Sequence, residues 1–173
     1  AASQGVEFLG GFVEPVLEDD YNDLVSRTVN KAVALQGVVF RVMDRILRAS
    51  DDSRVRLCVD RLGGRTHYRE ALQLSFPNFE IEIVEESSER SAYRLANPSR
   101  VVRVEFAAGG EDRHLPIALA SLFSKYMREL FMRAFNTYWC AMQPDLRPTA
   151  GYYTDAKRWL RDAQAMLQRC GVS

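Results

Sequence analysis

At 173 residues, with 23 lysines and arginines balanced by 23 aspartates and glutamates, the chain has room for one buried core but no overall basic field to advertise nucleic acid. Three cysteines without CxxC spacing (Cys58, Cys140, Cys170) argue against a disulfide framework or a zinc site and for reduced thiols in a cytoplasmic protein, and His67 and His114 are too few for a histidine metal cage. Nothing resembles a signal peptide, and no apolar run approaches the roughly 20 residues needed to span a bilayer.

The chain opens Ala1-Ala2-Ser3-Gln4 without methionine, which suits a processed protein, an excised piece or the C-terminal part of a longer chain. Val6 to Val16 is apolar and β-prone, with Gly10-Gly11 inside it, and predicts a strand bent at the glycines. Asp19, Asp20 and Asn22 supply cap-type residues. From Leu24 to Leu47 apolar residues, among them Val25, Val29, Val33, Met43 and Ile46, recur at helical spacing and predict one long helix or a helix broken near Gly37. Val55 to Asp60 reads as a short buried strand ending on a carboxylate, and Gly63-Gly64 as a turn.

His67 to Leu74 predicts a short helix closed by Phe76-Pro77, and Phe79 to Val84 alternates as a strand does. Ala92 to Phe106 reads as an extra hairpin turning at Asn97-Pro98-Ser99, and Gly109-Gly110 ends its returning strand. A long amphipathic helix follows from Pro116 to about Ala141, and a last helix runs from about Ala156 to Gln168. This order of elements indicates an α/β domain with some parallel pairing.

Charge is distributed locally. Twenty arginines stand against three lysines, and eight of those arginines fall between Arg41 and Arg69, whereas Glu80 to Glu89 is acidic; a solvated face accounts for such asymmetry, which also permits a phosphate-binding side. Asp60 ends a strand where open α/β sheets carry functional groups, although strand-ending aspartates also form turns. Glu111 and Asp112 precede a helix N-terminus, where capping accounts for them as well. Carboxylates converging from separate elements suit Mg²⁺ or Mn²⁺, which in pairs activate water and stabilise a leaving alkoxide at a phosphodiester, and Lys125 would neutralise nonbridging phosphate charge. Ser121, Lys125 and Arg128 share one helical face by their spacing.

The run Ala120-Ser121-Leu122-Phe123-Ser124-Lys125-Tyr126-Met127-Arg128-Glu129 resembles the Ala-Ser-x-x-Ala-Lys-x-x-Arg-Asp helix of type II ribonucleases H. Thr149 to Lys157 resembles that family's Gly-Tyr-Pro-Ser/Thr-Asp-Pro-Lys loop, and Val59-Asp60-Arg61 its Val-Asp-Gly strand end, in the expected order. The resemblance spans Val55 to about Leu160 and implies a ribonuclease H-like mixed sheet flanked by helices, with an extra β-hairpin and C-terminal helices, in a single domain over residues 1–173. It implies metal-dependent cleavage of the RNA strand of RNA–DNA hybrids, or of DNA with embedded ribonucleotides. Asp60 falls on a metal carboxylate. The second falls on Glu111 when counted without a gap from Lys125, and on Asp112 when anchored on Pro116.

Tyr152 falls on a sugar-stacking tyrosine, although packing over a helix accounts for it equally, and Ser121, Arg61 and Arg65 are candidates for contact with the nucleic acid. Two departures mark a divergent branch. The family's first-strand Asp-Glu-Ala-Gly-Arg-Gly-like motif has no counterpart, so the catalytic site would be completed by an N-terminal segment; and the hairpin Ala92 to Phe106 is an insertion. A noncatalytic nucleic-acid-binding or assembly module on the same fold is the alternative, and a plain structural domain the third reading.

Overall fold

The computed structural model describes Gly5, residues 7–28 and residues 30–171, and the chain divides into two compact units, residues 1–121 and 122–173. The first unit contains α1 (Glu18–Thr28), α2 (Lys31–Ala49), β1 (Arg54–Asp60), α3 (Arg69–Ser75), β2 (Glu80–Glu86), β3 (Arg90–Ala96), β4 (Val101–Ala107) and a 3₁₀ turn at Gly110–Asp112. Helix α4 (Leu115–Met142) carries the chain into the second unit, which α5 (Tyr153–Arg169) completes.

The four strands form one mixed sheet in the order β1-β4-β3-β2. β1 pairs with β4 in parallel, from Arg54 opposite Val101 to Asp60 opposite Ala107; β4 with β3 and β3 with β2 pair antiparallel. The fold class is therefore α/β with helices beside a mixed sheet. Because side chains alternate across a strand, Leu57, Ile81, Tyr93, Leu95, Val102, Val104 and Phe106 share one face, where they bury against Phe40, Met43 and Leu47 of α2 and Leu72 of α3. Each fully buried side chain of this size contributes about 1.5–3 kcal/mol.

Polar groups inside this core are partnered. The Tyr68 ring stacks on Phe106 at 3.8 Å, its backbone N–H donates to the Tyr93 hydroxyl at 2.8 Å, and the Tyr93 hydroxyl donates to Glu86. Burial, and then the Glu86 carboxylate, push the Tyr93 phenol well above its ordinary pKa, so it stays a neutral donor. In the β3–β4 turn the Asn97 side chain accepts from the backbone N–H groups of Ser99 and Arg100, and the Arg100 guanidinium donates to the carbonyls of Leu47 and Ser50, satisfying the end of α2.

Two expectations are corrected. Among the described residues 7–17 no strand forms: Gly10 adopts a φ of 145°, Pro15 lacks a donor, and Phe8 and Leu9 stay exposed with no strand beside them. Val6, where that strand was to begin, lies outside the described residues. The helix predicted over Leu24 to Leu47 is two helices, and the break lies before Asn30, whose Oδ1 caps α2 by accepting the Ala32 N–H at 2.9 Å; Gly37 sits within an unbroken α2. Val29 also lies outside the described residues. The expected hairpin forms as β3 and β4, and its returning strand β4 lies against β1, with β2 at the far edge.

Tyr93→Phe removes the acceptor of the buried Tyr68 N–H while keeping the ring. The expected loss is about 1–3 kcal/mol, read as a melting midpoint lowered by several degrees, and an unchanged midpoint would show that this hydroxyl is dispensable.

Candidate functional site

Parallel pairing brings the C-terminal ends of β1 and β4 to the same rim. Asp60 closes β1, and β4 runs through Ala107 into Gly109, whose φ of 60° lies in the left-handed region, and on into the 3₁₀ turn carrying Glu111 and Asp112. There the Gly110 N–H donates to Asp60 Oδ1 at 3.3 Å. Gly110 is buried, and a Cβ on it would stand 2.5 Å from Ile117 Cδ1, which would have to shift, and 3.5 Å from Asp60 Oδ1, an ordinary contact. The Ser121 hydroxyl, on the second turn of α4, donates to Glu111 Oε1 at 2.6 Å. Asp60, Glu111 and Asp112 are all exposed, so water and cations reach this acidic rim.

An ionic tie holds the turn from the other side. Glu105 of β4, 12% exposed, accepts from Arg56 at 2.9 Å and lies 3.1 Å from His114 Nε2, while the His114 carbonyl accepts the first backbone bonds of α4. Burial raises the Glu105 pKa, but the Arg56 hydrogen bond and the positive field of Arg90 and His114 outweigh it and hold the carboxyl below its ordinary value. Glu105 thus fixes where α4 starts, and through it where Ser121 meets Glu111.

The sequence candidates Arg61 and Arg65 are engaged within the first unit. The Arg61 guanidinium donates to the Ser88 carbonyl, and Arg65 Nη1 donates to the buried Gln36 side chain at 2.8 Å.

Lys125 and Tyr152 belong to the second unit, where the loop from Arg147 to Tyr152 is wired from both sides. Asn136 of α4 donates to the Thr149 carbonyl at 2.8 Å and accepts the Thr149 N–H at 2.9 Å. Asp155, in the first turn of α5, accepts from the Thr149 hydroxyl at 2.7 Å, from the Ala150 N–H at 2.6 Å, and from Arg158 through two nitrogens. These donors, led by the Thr149 hydroxyl, hold the Asp155 carboxyl at about 2, below the ordinary 3.8. Gly151 has a φ of 73° and lies under Met132 and Arg128, which leaves Tyr152 65% exposed with the Arg128 guanidinium 4.3 Å over its ring. The aromatic surface is presented to solvent.

The sequence reading missed Gly110, Asn136 and the Glu105–His114 tie. Gly110 was legible only as the end of a strand; Asn136 and Glu105 act on partners 13 and 9 residues away, beyond any local spacing rule. Among the described residues no three or more His, Cys, Asp or Glu side chains group as a metal cage. A hydrated Mg²⁺ is held through one or two carboxylates with water and phosphate oxygens filling the remaining shell, so the rim offers the donor type such an ion takes.

Because Asp155 has a lowered pKa in the folded chain, the stability it contributes is complete above its unfolded value and is lost as pH falls from about 4 towards 2. Asp155→Asn is expected to lower the melting midpoint at pH 7 and to speed amide exchange at Ala150, with the difference from the parent chain shrinking in acid. Equal protection of Ala150 in both proteins would contradict this role. No family model, curated protein or solved structure matches the chain.

Proposed function

We propose that this chain carries part of the site of a metal-dependent endoribonuclease of the ribonuclease H type, acting on the RNA strand of RNA–DNA hybrids. The observation that supports it is the rim at the ends of β1 and β4, where the Gly110 N–H bonds to Asp60 one residue before Glu111. That is the order and location in which the resembling motifs carry their metal carboxylates. Bound there with Mg²⁺ or Mn²⁺, a phosphodiester would gain charge neutralisation and an activated water from the metal.

The chain's own groups have separate tasks. Asp60 and Glu111, with Asp112 as the neighbouring alternative, supply the anionic rim; the Gly110 N–H and the Ser121 hydroxyl orient the first two by donating to them. On the motif resemblance Lys125 meets phosphate charge and Tyr152 meets a sugar. Two carboxylates are fewer than a two-metal hydrolase uses, so the remaining ligands would come from a segment outside these 173 residues. The noncatalytic binding module remains the second reading, favoured by the Arg128–Tyr152 pair, a stacking surface that needs no metal.

Manganese titration followed by paramagnetic broadening tests the rim directly. Signals of Asp60, Gly110 and Glu111 are expected to broaden first, and Asp60→Asn to abolish that. Broadening confined to other acidic positions would overturn the reading. The 173-residue chain alone is expected to cleave hybrid poorly, and strong magnesium-dependent cleavage that survives Asp60→Asn would refute the role given to Asp60.

A further inference from the structure

The face of the sheet opposite the apolar core carries arginines in direct register. Arg56 of β1 is the Cα partner of Arg103 of β4, and Arg103 is the partner of Arg94 of β3, so three guanidinium-bearing positions stand abreast across three adjacent strands. Arg54 lies two residues before Arg56 on the same face. These four arginines, with Val55 and Val101, line an open concavity of about 500 Å³. All four are exposed, the Arg56 side chain to 60%.

Only part of this charge is met among the described residues. Glu105 pairs with Arg56 at 2.9 Å and Glu82 with Arg94 at 3.5 Å, while no carboxylate among the described residues pairs with Arg54 or Arg103. Like charges directly opposite one another on a sheet destabilise it, so this row opposes folding of the free chain, in a protein whose formal net charge is zero. Neighbouring strands are about 4.8 Å apart, which spreads the positive positions over a band about 10 Å wide, open to a polyanion lying along the sheet. Arginine offers planar paired donors suited to phosphate, and a shallow exposed trough suits a chain of phosphates passing over it.

We infer that the arginine-lined face formed by Arg54, Arg56, Arg94 and Arg103 binds the sugar–phosphate backbone of a nucleic acid. The choice of nucleic acid over other polyanions rests on the function proposed above; the anion-binding face itself rests on the strand register and unpaired charge. Arg54 and Arg103 make the main contacts, since Arg56 and Arg94 are partly neutralised by their carboxylates. Contacts to phosphate there carry no base sequence, and their strength falls with salt through release of counterions.

The test uses a fluorescent RNA–DNA hybrid titrated with the 173-residue protein across a salt series without divalent metal, for the parent chain, Arg54→Gln/Arg103→Gln and Arg27→Gln/Arg48→Gln. Loss of two phosphate contacts is expected to reduce the slope of log affinity against log salt by about two and to weaken binding at least tenfold at low salt. Arg27→Gln/Arg48→Gln, which removes two exposed helix arginines paired with Asp23 and Asp44, should leave that slope unchanged. The melting midpoint of the double variant should stay level or rise, because removed charges were repelling. An unchanged slope overturns the inference, and so does a lowered midpoint with the parent's slope, which would assign the arginines to holding the sheet. Displacement of the hybrid by polyglutamate at equal charge concentration would overturn the assignment to nucleic acid. The nuclease reading fails separately, on the manganese signal at Asp60.

Discussion

Parallel pairing of β1 with β4 is the constraint on which the first unit depends. Strands that are neighbours in space and run the same way cannot be joined by a tight turn, so a long connection must intervene; here it contains α3, β2 and β3. That connection has two consequences. It supplies the α3 residue Leu72 to the apolar face of the sheet, and it brings the ends of β1 and β4 to one rim. A chain with β4 paired antiparallel to β1 would bury a similar set of residues and send Glu111 to the opposite edge from Asp60. The rim is a product of strand direction, and the hydrogen bond from Gly110 to Asp60 is where that direction becomes chemistry.

The two faces of the sheet serve different ends. On the core face, Tyr68, Tyr93 and Phe106 lock together through ring contacts and one hydroxyl that both accepts and donates. On the other face charge replaces packing. Glu105 is the hinge between these regimes, because it neutralises Arg56 of β1 and meets His114 at the entrance of α4. Its lowered pKa follows from that double engagement, so its contribution to stability is present above its unfolded value and is lost as pH falls through the folded one. Arg103 lies only two residues before Glu105 on the same strand face, yet it has no carboxylate partner among the described residues. The contrast shows that the strand face is organised unevenly: paired where it supports α4, unpaired where it meets solvent.

Much of the fold was readable from local pattern. The alternation in Val55 to Asp60 and Val101 to Phe106, the Asn97-Pro98-Ser99 turn and the long helix after Pro116 all rest on interactions within a few residues, and each element forms close to its expected bounds. Failures came where remote partners decide. Val6 to Val16 has strand-like composition, but a strand requires a second strand to pair with, and the described residues of that segment form no strand pairing. The helix break lies before Asn30 because a side-chain cap can start a new helix there, whereas Gly37 costs only about 1 kcal/mol that tertiary packing on Ala34, Val38 and Phe40 can outweigh. Which strand would neighbour β1 could not be read from alternation, since β2 and β4 alternate alike; only the pairing distinguishes them. Asp60 and Glu111 could be singled out by position and motif, but the groups that orient them, Gly110 and Ser121, act through geometry that exists only once the parallel pair has formed.

A zero net charge conceals a polarised first unit. The acidic rim gathers Asp60, Glu111 and Asp112 at the C-terminal ends of the parallel strands, while Arg54 and Arg103 sit towards the N-terminal ends of the same two strands. At a rise of about 3.3 Å per residue, Arg54 stands about 20 Å from Asp60 along the sheet, and Arg103, in register with Arg56, about 13 Å, both beyond the screening length of about 8 Å at physiological salt. Neither pole therefore cancels the other at its own surface. On the proposed reading this separation has a physical use: the arginine pole attracts a phosphate chain that an acidic rim by itself would repel, and the rim becomes acceptable to that chain only when a divalent cation reverses its local sign. Binding and metal loading would then be coupled through electrostatics alone, without movement of either strand.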